Sequence, residues 1–300
     1  MSIISWNCRG VGRLSMVSAL KDHIRKERPI LIFLSETLAS YNKSVGVIRS
    51  LGGDYRYFVI PAVGHSGGLW LLWDSNLKVN ILYSDSWIIH AELNGVSGLE
   101  WYFSGVYAST KMRIRRTQWS ILNQLQPNAQ KPWVCLGDFN SIMCHEERWG
   151  GRPAKKSHID AFQEMVYNCG LLDVGYVGNI FTWCNGQEGL SRMYQRLDRV
   201  LCNPFWRTSF AEAQVIHIST IHSDHKILLV QLHPKKSKLK RPFRFESMWT
   251  TDPTCKEVIK AAMQIEFDGS SSYAFCRNRC FVERNYSNGI KKSLATYKPK

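Results

Sequence analysis

Apolar and polar positions alternate in short blocks along the first 233 residues. Residues 3–7 and 30–34 are compact apolar runs of the kind that form buried strands. Between them Val17, Leu20 and Ile24 recur at helical spacing in a segment closed by Pro29, and Val45, Ile48 and Leu51 repeat that spacing in a second helix. The period then changes. Residues 55–60, 68–73, 79–84, 87–93 and 101–107 follow in quick succession, separated by Gly, Asn, Asp and Ser, and predict a meander of neighbouring strands. A helix at 115–125, a strand at 133–136 and a helix at 159–169 come next. The last strands are expected at 181–184, 196–201, 213–216 and 227–232. Mixed strands with a few long helices predict an α/β (α+β) sandwich, two sheets packed face to face with helices outside.

Beyond His233 the character shifts. Residues 234–242 form a basic, proline-bounded linker, residues 253–265 carry a helical pattern, and no period is evident after Asp268. The expected organisation is one domain over 1–233 and a linker with a truncated C-terminal extension over 234–300. Net charge is +15. Residues 234–300 hold 15 basic against 6 acidic side chains and residues 1–233 hold 24 against 18, so both parts carry the excess. A polyanion, nucleic acid first, is the partner this implies, although charge also serves solubility. Nine cysteines without a C-x-x-C pair suit free thiols in a reducing compartment, and Cys8, Cys135, Cys184 and Cys202 fall in expected core strands. The spacing Cys276-x-x-x-Cys280 lacks the histidine pair of a zinc site. No apolar run reaches membrane-spanning length and no signal-peptide pattern opens the chain, so the expectation is a soluble intracellular protein with no membrane partner. Nuclear rather than cytoplasmic placement is also expected, with the basic run at 235–241 reading either as a nuclear-import signal or as the linker's solvated charge.

The candidate chemistry sits in polar knots that follow the apolar runs. These are Ser5-Trp6-Asn7, Ser35-Glu36-Thr37, Gly137-Asp138-Phe139-Asn140, Arg196-Leu197-Asp198-Arg199 and Ser223-Asp224-His225. Phosphodiester hydrolysis needs a cation against developing charge, a group that aligns or deprotonates water, and donors to the non-bridging oxygens. Glu36, with a helical continuation through Thr37-Leu38, suits a hard divalent cation; it also suits a helix N-terminus. Asp138 and Asn140 share a face if the strand continues, one accepting a proton from water and the other orienting it; an Asx-turn is the plain alternative. His225 lies at a strand mouth, and Asp198 is the carboxylate chosen to orient it, unless the flanking arginines simply pair with Asp198. Asn7 supports the cation or Asp138, or caps the next segment. Together these five strand ends share one functional vocabulary.

The order Trp6-Asn7, Ser35-Glu36-Thr37, Tyr107, Gly137-Asp138-Phe139-Asn140, Arg196-Leu197-Asp198 and Ser223-Asp224-His225 resembles the endonuclease/exonuclease/phosphatase superfamily of DNase I and the apurinic/apyrimidinic endonucleases. Within it, Trp6-Asn7-Cys8-Arg9-Gly10, Gly67-Gly68-Leu69, Arg115-Arg116-Thr117-Gln118-Trp119, Phe181-Thr182-Trp183, the run from Leu197 to Pro204 and that from Arg241 to Glu246 are similar to the endonuclease domain of plant LINE-type non-LTR retrotransposons. The likeness covers roughly residues 1–265. It implies a four-layer DNase I-like sandwich and a Mg2+-dependent nuclease, with Mn2+ as a substitute. By motif position it implies Glu36 as metal ligand, Asp138 and Asn140 on the water, His225 with Asp198 at the scissile phosphate, Asp224 as a second metal or structural acid, Asn7 as support and Tyr107 as a phosphate contact. Arg9 departs from the apurinic/apyrimidinic enzymes, which carry a metal-binding aspartate there. The reverse transcriptase expected in a full-length element is absent, since no Tyr-x-Asp-Asp occurs, and the chain reads as a truncated or stand-alone fragment.

Lys111, Arg113, Arg115 and Arg116 follow Tyr107 closely and form an expected phosphate-tracking loop, or else a solvated helix start. Residues 185–191 are a candidate hairpin loop reaching into a groove, and Trp6, Trp70, Trp73 and Trp183 read as core. The function expected is a DNA-nicking endonuclease of the target-primed kind. Alternatives are a same-fold enzyme acting on RNA or on lipid or inositol phosphates, and a decayed fragment that only binds nucleic acid.

Overall fold

The computed structural model of the protein describes residues 1–234 except 65, 96, 97 and 129, and beyond them Lys260 and Gln264 alone. The linker, the helix expected over 253–265 (those two residues apart) and Cys276 and Cys280 lie outside the described residues. Fifteen strands and five helices are described. The first four strands are β1 (Ser2–Asn7), β2 (Leu31–Ser35), β3 (Tyr55–Ile60) and β4 (Leu69–Asp74), with α1 (Leu14–Glu27) and α2 (Tyr41–Leu51) interposed. Next come β5 (Lys78–Asp85), β6 (Ile88–Asn94), β7 (Glu100–Tyr107), α3 (Met112–Gln124) and β8 (Trp133–Asp138). After these follow β9 (Arg148–Trp149), α4 (Lys156–Asn168), β10 (Leu172–Asp173), β11 (Trp183–Cys184) and β12 (Tyr194–Gln195). The chain closes with β13 (Asp198–Cys202), α5 (Pro204–Ser209), β14 (Gln214–Ile218) and β15 (Ile227–Gln231).

Two six-stranded mixed sheets, in the orders β14-β15-β1-β2-β4-β3 and β10-β13-β8-β7-β6-β5, make the sandwich. Alternation along the strands explains the layers. Ile3, Leu31, Phe33, Leu69 and Leu71 of the first sheet meet Ile89, Ala91, Phe103, Val134, Leu136 and Val200 of the second. The intervening residues Ile4, Trp6, Ile32, Leu34, Trp70 and Leu72 face outward, under Met16, Val17, Leu20 and Ile24 of α1 and Ile48 of α2. On the other side Val106, Trp133, Cys135 and Leu201 pack on Trp119 and Leu122 of α3 and Phe162 and Met165 of α4. Both faces of the central strands are therefore buried, which is why they read as unbroken apolar runs. Truncating one such leucine to alanine costs about 2–5 kcal/mol.

The four-layer architecture is the expected one, but the meander over residues 55–107 is not. β3 and β4 join the first sheet, whereas β5, β6 and β7 join the second. The chain crosses between sheets at residues 75–77, where Leu77 is buried in the inter-sheet core. Period-2 alternation is the same in either sheet, so the pattern did not reveal the crossing. The strand expected over 181–184 shrinks to β11, which pairs with β12 and β9 in a small third sheet, and Cys184 is only half-buried there. Residues 185–193 form the β11–β12 connection, so the hairpin loop expected over 185–191 falls within it. The six cysteines of the described residues are free thiols. No helix among the described residues is long and apolar enough to cross a membrane.

Candidate active site

Strand register brings the polar knots to one end of the sandwich. Parallel pairing of β1 with β2 places Asn7 beside Ser35, so Glu36 leaves the sheet next to Asn7. Parallel pairing of β7 with β8 sets Tyr107 beside Asp138, and antiparallel β13 begins with Asp198 opposite Asp138. β15 enters the first sheet from the same end, immediately after His225. Four carboxyl ends, in two parallel pairs, and two antiparallel amino ends thus converge.

Backbone strain aims several of these side chains. Arg9, Glu36 and Asn140 have φ of 51°, 50° and 48°, left-handed conformations that cost a non-glycine residue roughly 1–3 kcal/mol. Glu36 is not followed by a helix. Thr37 and Leu38 donate backbone bonds to Gly68 and Gly67, and Gly10 and Val11 donate to Glu36 and Thr37, clamping the loop from both sides. Gly68 (φ 89°) approaches so closely that a Cβ there would lie 2.3 Å from Thr37 Oγ1. Gly137 (φ 131°) ends β8 in the same way: a Cβ would stand 2.1 Å from the Val106 carbonyl oxygen. Asp138 then accepts from its own chain, Asn140 N–H to Oδ1 at 2.9 Å, and from Asn140 Nδ2 to Oδ2 at 3.2 Å. The Asx-turn and the pairing of Asp138 with Asn140 are one structure.

The central network is short and buried. Asn7 Nδ2 donates to Glu36 Oε1 at 3.1 Å and to Asp138 Oδ2 at 3.0 Å. Tyr107 OH donates to Glu36 Oε1 at 2.8 Å, and burial, with Glu36 beside it, keeps the phenol protonated. His225 Nδ1 donates to Asp198 Oδ2 at 2.9 Å, while Nε2 points toward Asp138 Oδ2 at 3.9 Å. Burial alone would lower the histidine pKa, but Asp198 and Asp138 outweigh it and raise it to about 9. Burial pushes Asp138 up to about 7, with Asp198 adding and the imidazolium opposing. Asp138 is therefore poised to accept a proton near neutrality, and His225 is a standing donor.

Asp138, Asp198 and His225 form a buried cluster whose ligand atoms lie within 4.8 Å of one another. A histidine protonated between two carboxylates is a hydrogen-bond donor rather than a ligand, so a cation belongs elsewhere in the pocket. Asn7 Oδ1 is buried without a donor, next to the Glu36 carboxylate. An unmet amide oxygen beside a carboxylate is a hard-oxygen donor set, and it fits a divalent cation. Asp224, expected as a second metal ligand or a structural acid, has both oxygens engaged, as the structural role requires. Arg9 binds them bidentately at 2.9 Å each, Trp183 Nε1 donates to Oδ2 at 2.9 Å, and Arg9 Nη1 also lies 3.3 Å from Glu36 Oε2.

The arginines beside Asp198 turn away from it. Arg196 and Arg199 pair with Glu147 and Asp173 in a closed, buried group of two cations and two anions, leaving Asp198 to His225. Thr182 Oγ1 accepts the N–H groups of Leu197 and Asp198 at 3.0 Å each, and Ser223 Oγ ties His225 N–H to the Asn7 carbonyl. Thr182, Trp183 and Ser223 were present in recognised motifs but carried no local sign of these roles.

All of this opens into a cleft of about 660 Å³ lined by Glu36, Tyr107, Asp138, Asn140 and His225. Of the four expected basic contacts only Arg115 lines it. Lys111 and Arg113 are exposed at the start of α3, and Arg116 borders a separate groove between α3 and α4. The opposite wall, not anticipated from sequence, carries Arg148, Arg152, Lys155 and His158. They lie between Arg148 and His158, in the segment that follows Asn140 and opens α4, where the sequence has no distinctive period.

Residues 4–225 match the Endonuclease/Exonuclease/phosphatase family. No curated protein matches the chain. Among solved structures, the AP endonuclease LMAP from Leishmania major superposes with a TM-score of 0.63 at 15% identity, covering 78% of this chain and 88% of that one. The 3' phosphatase NExo from Neisseria, bound to product DNA hairpin, gives 0.59 at 14% identity over 77% and 98%. The endonuclease domain of TRAS1, a telomere-specific non-LTR retrotransposon, gives 0.56 at 14% over 78% and 99%. At such identities the likeness is one of fold.

Proposed function

The chain belongs to the endonuclease/exonuclease/phosphatase family, and on that premise we propose that it is a divalent-cation-dependent endonuclease that nicks DNA. The observation that carries this reading is the convergence of Asp138, Asn140, the His225–Asp198 pair and Glu36 on one basic-walled cleft. Asp138 takes a proton from a water that Asn140 and Asn7 help to hold. That water's oxygen bonds to phosphorus, the bond from phosphorus to the 3′ oxygen breaks, and the departing oxygen takes a proton from solvent, leaving a 5′-phosphate and a 3′-hydroxyl. His225, charged through Asp198, donates to a non-bridging oxygen where negative charge develops. Tyr107 keeps its proton and holds Glu36 in place. A divalent cation, Mg2+ by the hard-oxygen donors, would be held by Glu36 and Asn7 Oδ1 and supply Lewis-acid neutralisation of the phosphate.

The retrotransposon-type motifs and the likeness to the TRAS1 domain support a target-primed role, in which the freed 3′-hydroxyl primes synthesis. The test is supercoiled plasmid incubated with the protein and Mg2+, beside Asp138→Ala and His225→Ala. Relaxation that needs the metal and falls on the order of 10²-fold or more in each variant is expected. DNA retardation on a gel without cleavage would refute an enzymatic role. Hydrolysis restricted to RNA or to a lipid headgroup would refute the choice of DNA.

A further inference from the structure

Arg115 is 5% exposed, lines the cleft, and forms no ion pair among the described residues. Its Nη1 donates to the Ser109 carbonyl at 2.7 Å, its Nη2 has only the Met112 sulfur at 3.6 Å, and its Nε is buried without a partner. The other deeply buried arginines, Arg196 and Arg199, are matched by carboxylates. A guanidinium kept out of water without an anion is costly, unless an anion arrives.

The surroundings deepen the imbalance. α3 and α4 both begin at this wall, and neither has an acid in its first turn or a capping side chain. The positive ends of two helix dipoles are instead met by cations, Arg115 in α3 and Lys155 at the start of α4, with the His158 imidazole beside them. Lys156 is neutralised by Asp160 at 2.8 Å, whereas Lys155 and His158 face the cleft. An arrangement with charges at the wrong helix ends becomes favourable when a phosphate binds among them. The place is also fixed relative to the chemistry. Asn140 Nδ2 bonds the carbonyl of Ala108 and Arg115 bonds that of Ser109, adjacent residues whose Cα atoms are about 3.8 Å apart.

We propose that Arg115, Lys155 and His158 form a subsite for a second backbone phosphate, neighbouring the phosphate cut at Asp138 and His225. It rests on the nuclease reading for the identity of its ligand. The subsite would set the direction in which the strand crosses the cleft and would recognise charge rather than base.

The test is binding of a labelled DNA duplex to the full chain in EDTA, where no cleavage is needed, across a series of salt concentrations. Each phosphate contact adds about one to the slope of log affinity against log salt. Arg115→Met, Lys155→Ala and the double variant should each lose about one from that slope, because all three break one and the same contact. Since Arg115→Met also removes the bond to Ser109, Lys155→Ala, at an exposed position, carries the test independently. Burial and the charges of Arg115, Lys155 and Arg116 hold the His158 pKa below its ordinary value, so DNA binding should raise it in an NMR titration. An unchanged slope in Lys155→Ala, losses that add to about two in the double variant, or a His158 pKa indifferent to DNA would overturn the subsite. Plasmid nicking is read separately: no nicking with the slope effects intact would sink the nuclease reading and leave the phosphate subsite standing.

Discussion

Replacing Asp198 with asparagine leaves shape nearly unchanged and removes the charge that holds His225 as a cation. The histidine rises from 6.5 to about 9 because Asp198 and Asp138 outweigh its burial. A change of that size corresponds to roughly 3 kcal/mol in favour of the imidazolium. Asp198 supplies the only direct bond to Nδ1, at 2.9 Å, while Asp138 stands at 3.9 Å from Nε2. Most of the stabilisation therefore goes with Asp198→Asn, and burial then drives the pKa toward or below its ordinary value. If the reacting form carries His225 protonated and Asp138 ionised, the rate profile is a bell whose alkaline limb reports the histidine. The wild-type limb should lie near 9 and move down by more than one pH unit in the variant, with a rate loss at pH 8 on the order of 10²-fold or more. Plasmid-nicking rates between pH 5 and 10, with the His225 pKa followed by NMR, measure both quantities. A raised histidine pKa stabilises the fold fully below about 6.5, and that contribution is lost as pH rises through about 9. The variant should therefore melt lower than wild type at pH 6 and converge with it above pH 9. An alkaline limb that stays in place, or equal melting at pH 6, would refute the assignment of Asp198 as the source of the charge.

Asp138→Asn should abolish nicking yet raise the melting temperature at pH 8 in EDTA. The elevated carboxyl pKa means its ionisation opposes folding progressively from about pH 4 through about 7; a lower melting temperature would contradict this. Glu36→Gln should weaken Mg2+ binding by tenfold or more in isothermal titration while leaving DNA affinity in EDTA within twofold, on the order expected for losing a hard ligand. EDTA itself should stop wild-type nicking and excess Mg2+ should restore it. Arg199→Ala leaves Glu147 and Asp173 under-compensated in a buried group and should cost about 3–5 kcal/mol in urea unfolding. A loss under 1 kcal/mol would mean the group is better solvated than its burial indicates.

Much of this protein could be read before any coordinates. Buried strands announce themselves because both of their faces are covered, so residues 3–7, 30–34 and 133–136 appear as apolar runs within two residues of β1, β2 and β8. Polar groups at the ends of such runs have nowhere to go but a rim, and this is why Asn7, Glu36, Asp138 and His225 were identifiable as a set. The helices of α1 through α4 were likewise visible from their apolar stripes, because one-sided burial imposes the 3.6-residue period.

Partner choice was a different matter, since it depends on which loops meet across the sandwich. Arg196 and Arg199 flank Asp198 in the chain, but alternation and the approach of Glu147 and Asp173 carry them off to a separate buried group. Asp224 looks like a ligand by position, yet left-handed Arg9 reaches it from 215 residues away in the chain. The division of residues 55–107 between two sheets turned on three residues of connection, and the burial of Arg115 on a helix packed over the second sheet. One-dimensional pattern records how deeply a residue is buried and with what period; it holds no record of distant neighbours. An imidazolium kept charged between two acids therefore exists only once β8, β13 and the start of β15 are brought together.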